Sequence, residues 1–332
     1  MKKALLLPAL AAMLFFSCKK DHSASLSPSG KKYKVTFNVS NFTAAQSSFA
    51  VRHGGNSLAS DTITNLSGYL DVLYYQVSDN SGNAVGPPIM QDSTMSNMGI
   101  ITDSLPAGNY GIAVAAGKKG LIVTPYNDGQ GDYYFSYGGG PNWLDTFWGR
   151  TGFTVSSGPI SQSLTLNRSV SEVELKILDD IPATADSLFM TVYPEAYGVV
   201  LNNGPDPALI GNFVSGTASL AVAIPASAKG KSNYTTDLLV GPTMNDFTVI
   251  VSIVCKDAAG RVLGSAALGV GPSENEEVIL QNNQKTVISG DLFTGLAPSQ
   301  SFQVQVDTAW NSTPLRQGFS LRKNNFKIVT TK

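Results

Sequence analysis

Histidine and cysteine are almost missing from this 332-residue chain, which has 2 of each. One histidine, His22, lies near the N-terminus, and the other, His53, stands beside Gly54-Gly55. A Ser-His-Asp arrangement would have to be built on His53, and no Gly-x-Ser-x-Gly elbow is present to offer the serine. Zinc sites need several His or Cys ligands at short spacing, and no such grouping occurs. Charge is also scarce. Asp, Glu, Lys and Arg make up 14% of the chain, against roughly 25% in typical soluble domains. The formal net charge is −1, so there is no electrostatic footprint for nucleic acid. The apolar stripe of an amphipathic helix is nearly absent too.

The N-terminus has its own logic. Lys2 and Lys3 precede an apolar run from Ala4 to Phe16, too short for a bilayer span of about 20 residues. Residues 1–17 therefore read as a secretory signal peptide. Ser17-Cys18 resembles a bacterial lipobox in the looser form common among Bacteroidetes lipoproteins. That resemblance implies cleavage before Cys18 and acylation of its sulfur and new amino group. Each buried methylene is worth roughly 0.8 kcal/mol, and stable anchoring takes more than one chain, which a multiply acylated cysteine supplies. Residues 18–30, opening with Lys19-Lys20-Asp21-His22, read as a tether. Such charged residues after the cysteine resemble surface-export signals of that phylum. The expected location is the outer membrane, at the cell surface. With Cys18 lipidated, Cys255 has no partner for an intramolecular disulfide, and its place in the run 247–255 marks it as a small buried hydrophobe.

Alternation with period two dominates the rest. Tyr33, Val35, Phe37 and Val39 share one face of a strand, and 70–77 forms another, mostly buried. Further strands are expected at 98–104, 110–116, 121–126, 132–137 and 160–166. The pattern restarts at Val170–Ile177, followed by 187–193, 247–255, 276–281, 284–293 and 301–309, with a short strand at 326–329. "YYQVSDNSGNAV" (74–85) and "SIVCKDAAGRVL" (252–263) share one layout: buried strand, Asp-x-x-Gly, second strand. This spacing predicts two tandem antiparallel β-sandwiches of Ig-like type, 31–163 and 164–332.

Several phrases in order bring a family into view. "LDVLYYQVSDNSGNAV" (70–85) precedes "LPAGNYGIAVAAG" (105–117) and "LTLNRSVSEVELKILD" (164–179), and "NNQKTVISGDLFTGLAPSQSFQVQVDTAW" (282–310) comes near the end. With a lipobox in front, this order resembles the fimbrillin-type lipoproteins of Bacteroidetes, particularly the minor or anchor subunits of type V fimbriae. The resemblance implies two transthyretin-like β-sandwiches, a non-enzymatic role and no cofactor. It also implies association with other fimbrial subunits by β-strand addition, in which main-chain hydrogen bonds provide cohesion. In that family proteolysis removes an N-terminal strand from stalk subunits. Arg52 is the candidate protease site here, and no strong basic site follows the first strand, as suits an anchor. A donor strand would come from 319–329, where Arg322, Lys323 and Lys327 blunt an exposed edge.

Local chemistry is thin. Asn127–Asp132 has acidic turn residues but lacks the later glutamate of an EF-hand; Glu274, Glu276 and Glu277 flank a strand start. Trp310 reads as a core aromatic and Arg168 as solvated or ion-paired. Catalytic and metal residues are not assigned. Aromatics cluster around Gly138–Pro141: Tyr133, Tyr134, Phe135, Tyr137, Trp143, Phe147 and Trp148. Such a group either fills a core or forms a stacking platform for a glycan. Tyr133, Tyr134, Tyr137, Trp143 and Trp148 are therefore the candidate ligand or adhesion surface.

Overall fold

The computed structural model describes residues 30–43, 66–126, 132–137, 142–204, 214–241, 247–269, 278–293, 302–307, 317–322 and 325–330. The fold is all-β. Its first strands are β1 (Tyr33–Thr43), β2 (Val72–Asp79), β3 (Ile89–Asp92), β4 (Ile100–Leu105) and β5 (Gly108–Gly117). Next come β6 (Leu121–Pro125), β7 (Tyr133–Tyr137), β8 (Thr146–Val155), β9 (Ile160–Arg168), β10 (Ser171–Ile177) and β11 (Ala185–Ala196). These are followed by β12 (Val199–Val200), β13 (Val214–Ala223), β14 (Tyr234–Val240), β15 (Phe247–Asp257) and β16 (Val262–Leu268). The chain ends with β17 (Val278–Leu280), β18 (Lys285–Gly290), β19 (Gln303–Asp307), β20 (Gln317–Arg322) and β21 (Asn325–Thr330).

In the first sandwich, β3-β2-β5-β8 and β9-β1-β4 face each other along one hydrogen-bonded path. The path passes between layers through the Phe147–Arg168 and Trp148–Asn167 pairs of β8 and β9. Alternation sets which side chains fill the space. Val35, Phe37 and Val39 of β1 meet Leu73, Tyr75 and Val77 of β2, Ile112, Val114 and Ala116 of β5, and Phe153 of β8. Phe37 and Phe153 make an edge-to-face contact with centroids 4.8 Å apart. Each such side chain contributes about 1.5–3 kcal/mol by leaving water. The intervening Val72, Ala113 and Ala115 are buried as well, in a separate apolar cluster. The β2-β5 layer is thus covered on both faces, which accounts for its nearly continuous apolar sequence.

The second sandwich repeats the plan. Its layers are β13-β11-β15-β16 and β14-β10-β18, the latter extended by β19, β20 and β21. Strand for strand, β13-β11-β15-β16 matches β3-β2-β5-β8, and β14-β10-β18 matches β4-β1-β9. In both halves the first strand runs parallel to the last: β1 with β9 and β10 with β18. Val173, Leu175 and Ile177 pack against Leu188, Met190, Val251 and Ile253. Cys255 is fully buried in this core, as its surroundings in sequence implied, and burial pushes its thiol up to about 11.

β9 runs from Ile160 to Arg168, and its Leu164 and Leu166 lie in the first core. The two Asp-x-x-Gly hairpins are not equivalent in the repeat, since one joins β2 toward β3 and the other joins β15 to β16. Their local chemistry is nonetheless the same. Asp79 accepts from the Ser81 and Asn83 backbone N–H groups at 2.8 and 2.9 Å. Asp257 accepts from Ala259 and Arg261 at 3.0 and 2.8 Å. Gly82 and Gly260 take φ of 86° and 80°, a region that favours glycine.

At Asp79, burial acts to raise the carboxyl pKa, but the Asn83 side chain and the turn N–H groups outweigh it and hold it below the usual range. A depressed folded pKa gives stability that is present at neutral pH and is lost as pH falls through that pKa. Asp79→Ala should therefore be less stable than the parent at pH 7 in urea melts, with the difference shrinking toward pH 3.

Candidate functional site

The aromatic stretch lies where the two sandwiches meet. The β6–β7 hairpin covers the outer face of β2 and β5, and the small Ala113 and Ala115 let its side chains sit close. β12 of the second sandwich then adds to β7, pairing Val199 with Phe135 and Val200 with Tyr134. The ladder continues as Leu201 N–H donates to the Tyr133 carbonyl at 2.7 Å. Phe135, Trp143, Val170, Val199 and Leu201 form one apolar cluster shared by both halves.

Two indoles fasten this seam. The Trp143 Nε1–H donates to the Ala196 carbonyl at 2.7 Å, and the Trp148 Nε1–H donates to the Leu201 carbonyl at 2.7 Å. Buried indole N–H groups need such partners. Three glycines of the second sandwich make room for first-sandwich rings. A Cβ at Gly241 would stand 2.2 Å from Trp143 Nε1, one at Gly204 2.4 Å from the Trp148 ring, and one at Gly198 2.7 Å from the Tyr134 ring.

All five sequence-selected residues thus come together. Trp143 is buried, at 3% exposure. Tyr137 packs edge-to-face on it, with centroids 5.7 Å apart. The Tyr137 hydroxyl accepts from the Lys118 N–H at 3.0 Å, and burial raises its pKa to about 12. Tyr133 and Trp148 are half-buried. Tyr134 makes edge-to-face contacts with Tyr126 and Tyr197, each with centroids 6.5 Å apart. The sequence did not point to Tyr197, which is 47% exposed and packs on Tyr134, nor to the three glycines. Tyr197, Gly198 and Gly204 fall in the short "AYGVVLNNG" (196–204), which does not announce a cross-domain strand, and Gly241 stands alone after β14.

Arg168, the last residue of the first sandwich, is ion-paired rather than solvated. Its Nε and Nη2 donate to the two Asp145 carboxylate oxygens at 2.7 and 2.9 Å, and Nη2 also reaches Tyr69 Oη at 3.1 Å. Burial lowers the Arg168 pKa, but the Asp145 charge outweighs it and the net shift is upward; burial, then Asp145, raises Tyr69. In the second sandwich, Glu172, Glu174 and Asp237 gather on one sheet face with ligand atoms within 4.8 Å. The Lys285 ammonium stands among them, bonded to Glu174 and 3.6 Å from Glu172, so the group is an ion-pair network. Cys18, His22, Arg52, His53, 127–131, 138–141, Glu274, Glu276, Glu277, Trp310 and Lys323 lie outside the described residues.

With this geometry, comparison with solved structures is informative. A Bacteroides thetaiotaomicron protein described as a candidate polysaccharide-binding protein aligns over 88% of this chain and 99% of its own, with a TM-score of 0.50 and 12% identity. The fold is shared. Other solved structures that align include fimbrial proteins and candidate adhesins of Bacteroidetes. A candidate adhesin from Bacteroides thetaiotaomicron covers 86% of this chain and 98% of its own at 10% identity and a TM-score of 0.49. The fimbrial anchor protein Mfa2 from Porphyromonas gingivalis covers 83% and 97% at 10% identity and a TM-score of 0.47. No protein-family model and no curated protein sequence matches the chain.

Gly241→Ala tests the seam. The added methyl has no room between Trp143 and Ala196. Calorimetry is expected to show a lower first transition and separate unfolding of the two sandwiches, at a cost of about 1–3 kcal/mol.

Proposed function

We propose that this chain is a non-enzymatic, surface-exposed outer-membrane lipoprotein of the fimbrial anchor or accessory type, anchored at Cys18. It acts in filament assembly or attachment by accepting a strand from another subunit. The observation that carries the reading is an asymmetry within the repeat. In the second sandwich, β18 pairs with β10 on one side and with β19 on the other. Its counterpart β9 pairs with β1 along 160–167, while β8 reaches only its last residues. Among the described residues, the outer edge of Ile160–Leu164 has no strand where the second sandwich has β19. Ser161, Gln162 and Ser163 are exposed there. An open edge next to a buried core strand suits β-strand addition. The shared fold supports the reading, and so does the lipobox-like N-terminus.

Of the expected donor region 319–329, residues 319–322 lie in β20, which pairs with β19 of the same chain, and 325–329 lie in β21, which pairs with β20. The reading therefore makes the chain an acceptor at β9 first and a donor only if that hairpin detaches. A glycan-binding surface is the second reading, favoured by the exposure of Tyr197, whose ring packs edge-to-face on Tyr134. It would use those rings rather than the buried Trp143.

Ser161→Lys with Ser163→Lys places charges on the outer edge, a change that discourages strand pairing. Co-purification of fimbrial subunits from cells is expected to be lost while the circular dichroism spectrum and melting point stay unchanged. Undiminished co-purification would contradict acceptance at β9. Cys18→Ala is expected to abolish fatty-acid labelling and release the protein from the membrane fraction.

A further inference from the structure

We propose that the seam between the two sandwiches is held closed by a neutral Glu195 and loosens when that carboxyl ionises. This stands apart from the assembly reading and rests on the seam itself. Glu195 lies near the end of β11, where the register against β13 shifts on both sides of it. It is 2% exposed. Its Oε1 accepts the Gly241 N–H at 2.7 Å. Gly241 is also the residue whose missing side chain admits Trp143, and the Trp143 indole is fastened to Ala196, the next residue after Glu195. Glu195, Gly241, Trp143 and Ala196 therefore form a closed ring of contacts joining β11, the end of β14 and the segment leading into β8.

Among the described residues, the groups facing the carboxyl offer it no counter-charge. β13 brings Gly216, whose Cβ position lies 3.8 Å from Glu195 Oε2. β14 brings the Gly241 N–H, and the first sandwich brings an indole N–H already given to Ala196. The charged groups described around the junction have other partners: Arg168 holds Asp145, and Lys285 holds Glu172 and Glu174. Burial dominates at Glu195, the Gly241 bond only partly offsets it, and the carboxyl pKa rises from 4.5 to about 8. The folded chain keeps a proton that the unfolded chain gives up above pH 4.5. Stability from this site therefore falls as pH rises from about 4.5 to about 8 and is level above that. A carboxylate formed in place lacks solvation unless water reaches it, which requires the packing around Gly241 and Trp143 to loosen.

Hydrogen exchange of the intact mature chain at pH 5 and pH 9, corrected for intrinsic rates, tests this. Protection of the Gly241 and Leu201 amides should fall roughly tenfold or more at pH 9, as expected for a shift of one unit or greater. Amides of Val251 and Ile253 in the second core should hold. In Glu195→Gln the seam amides should show equal protection at both pH values. Equal protection at both pH values in the parent would overturn the proposal, as would an unchanged pH dependence in Glu195→Gln. If that variant does not fold, a carbon-13 titration of the parent decides: a Glu195 midpoint near 4.5 overturns the proposal, and one near 8 supports it.

Discussion

The β2-β5 layer has apolar side chains on both faces, and the molecule is organised around that constraint. One face finds its partner in the opposite layer of the same sandwich, where Leu73, Tyr75 and Ile112 meet Phe37 and Ile101. The other face, with Val72, Ala113 and Ala115, needs a cover from elsewhere. The β6–β7 hairpin supplies part of it and β12 of the second sandwich the rest. Trp143 and Trp148 bring large apolar area to this cover, but each also brings an N–H that must be satisfied once dry. The acceptors are carbonyls of the second sandwich, so burying the first sandwich's outer face ties the two halves together.

A duplicated plan is thus put to two uses. Both halves have the same strand order in both layers and the same parallel pairing of first and last strands. Their surroundings differ. The second half extends its β18 edge with β19 and the terminal hairpin, whereas the first half, among the described residues, leaves most of the β9 edge without a strand and puts its added β-structure on the seam. An edge kept open costs solubility unless it is short, charged or used. The seam gives such an edge a fixed orientation relative to the rest of the chain.

Much of the fold was legible because period-two alternation is a local signal. β1, β5 and β10 stand out in the sequence, and so does the restart of the pattern near residue 170. β8 was not expected as a strand. Gly149 and Gly152 interrupt its alternation, and Gly149 is there because a Cβ would stand 2.4 Å from the Thr165 carbonyl oxygen of β9. β13, "VSGTASLAVA", escaped because its alanines and serines have weak strand preference. The aromatic cluster was legible as a group, but its purpose was not. Trp143 meets Ala196 and Trp148 meets Leu201 across 53 positions each, and the glycines that receive the rings have no side chain to mark them. Gly198, Gly204 and Gly241 look in sequence like ordinary turn residues. Contacts defined by an absent side chain in another domain leave no periodicity to read.

If the aromatic seam makes the two sandwiches one rigid body, their orientation in solution will show it. Residual dipolar couplings should be measured on the mature chain for backbone amides of both halves and fitted separately. A single alignment tensor is expected, equal in magnitude and direction for the two sets within error. Two distinct tensors, with the second-sandwich couplings scaled down, would mean that the halves reorient freely and that the indole bonds do not hold them.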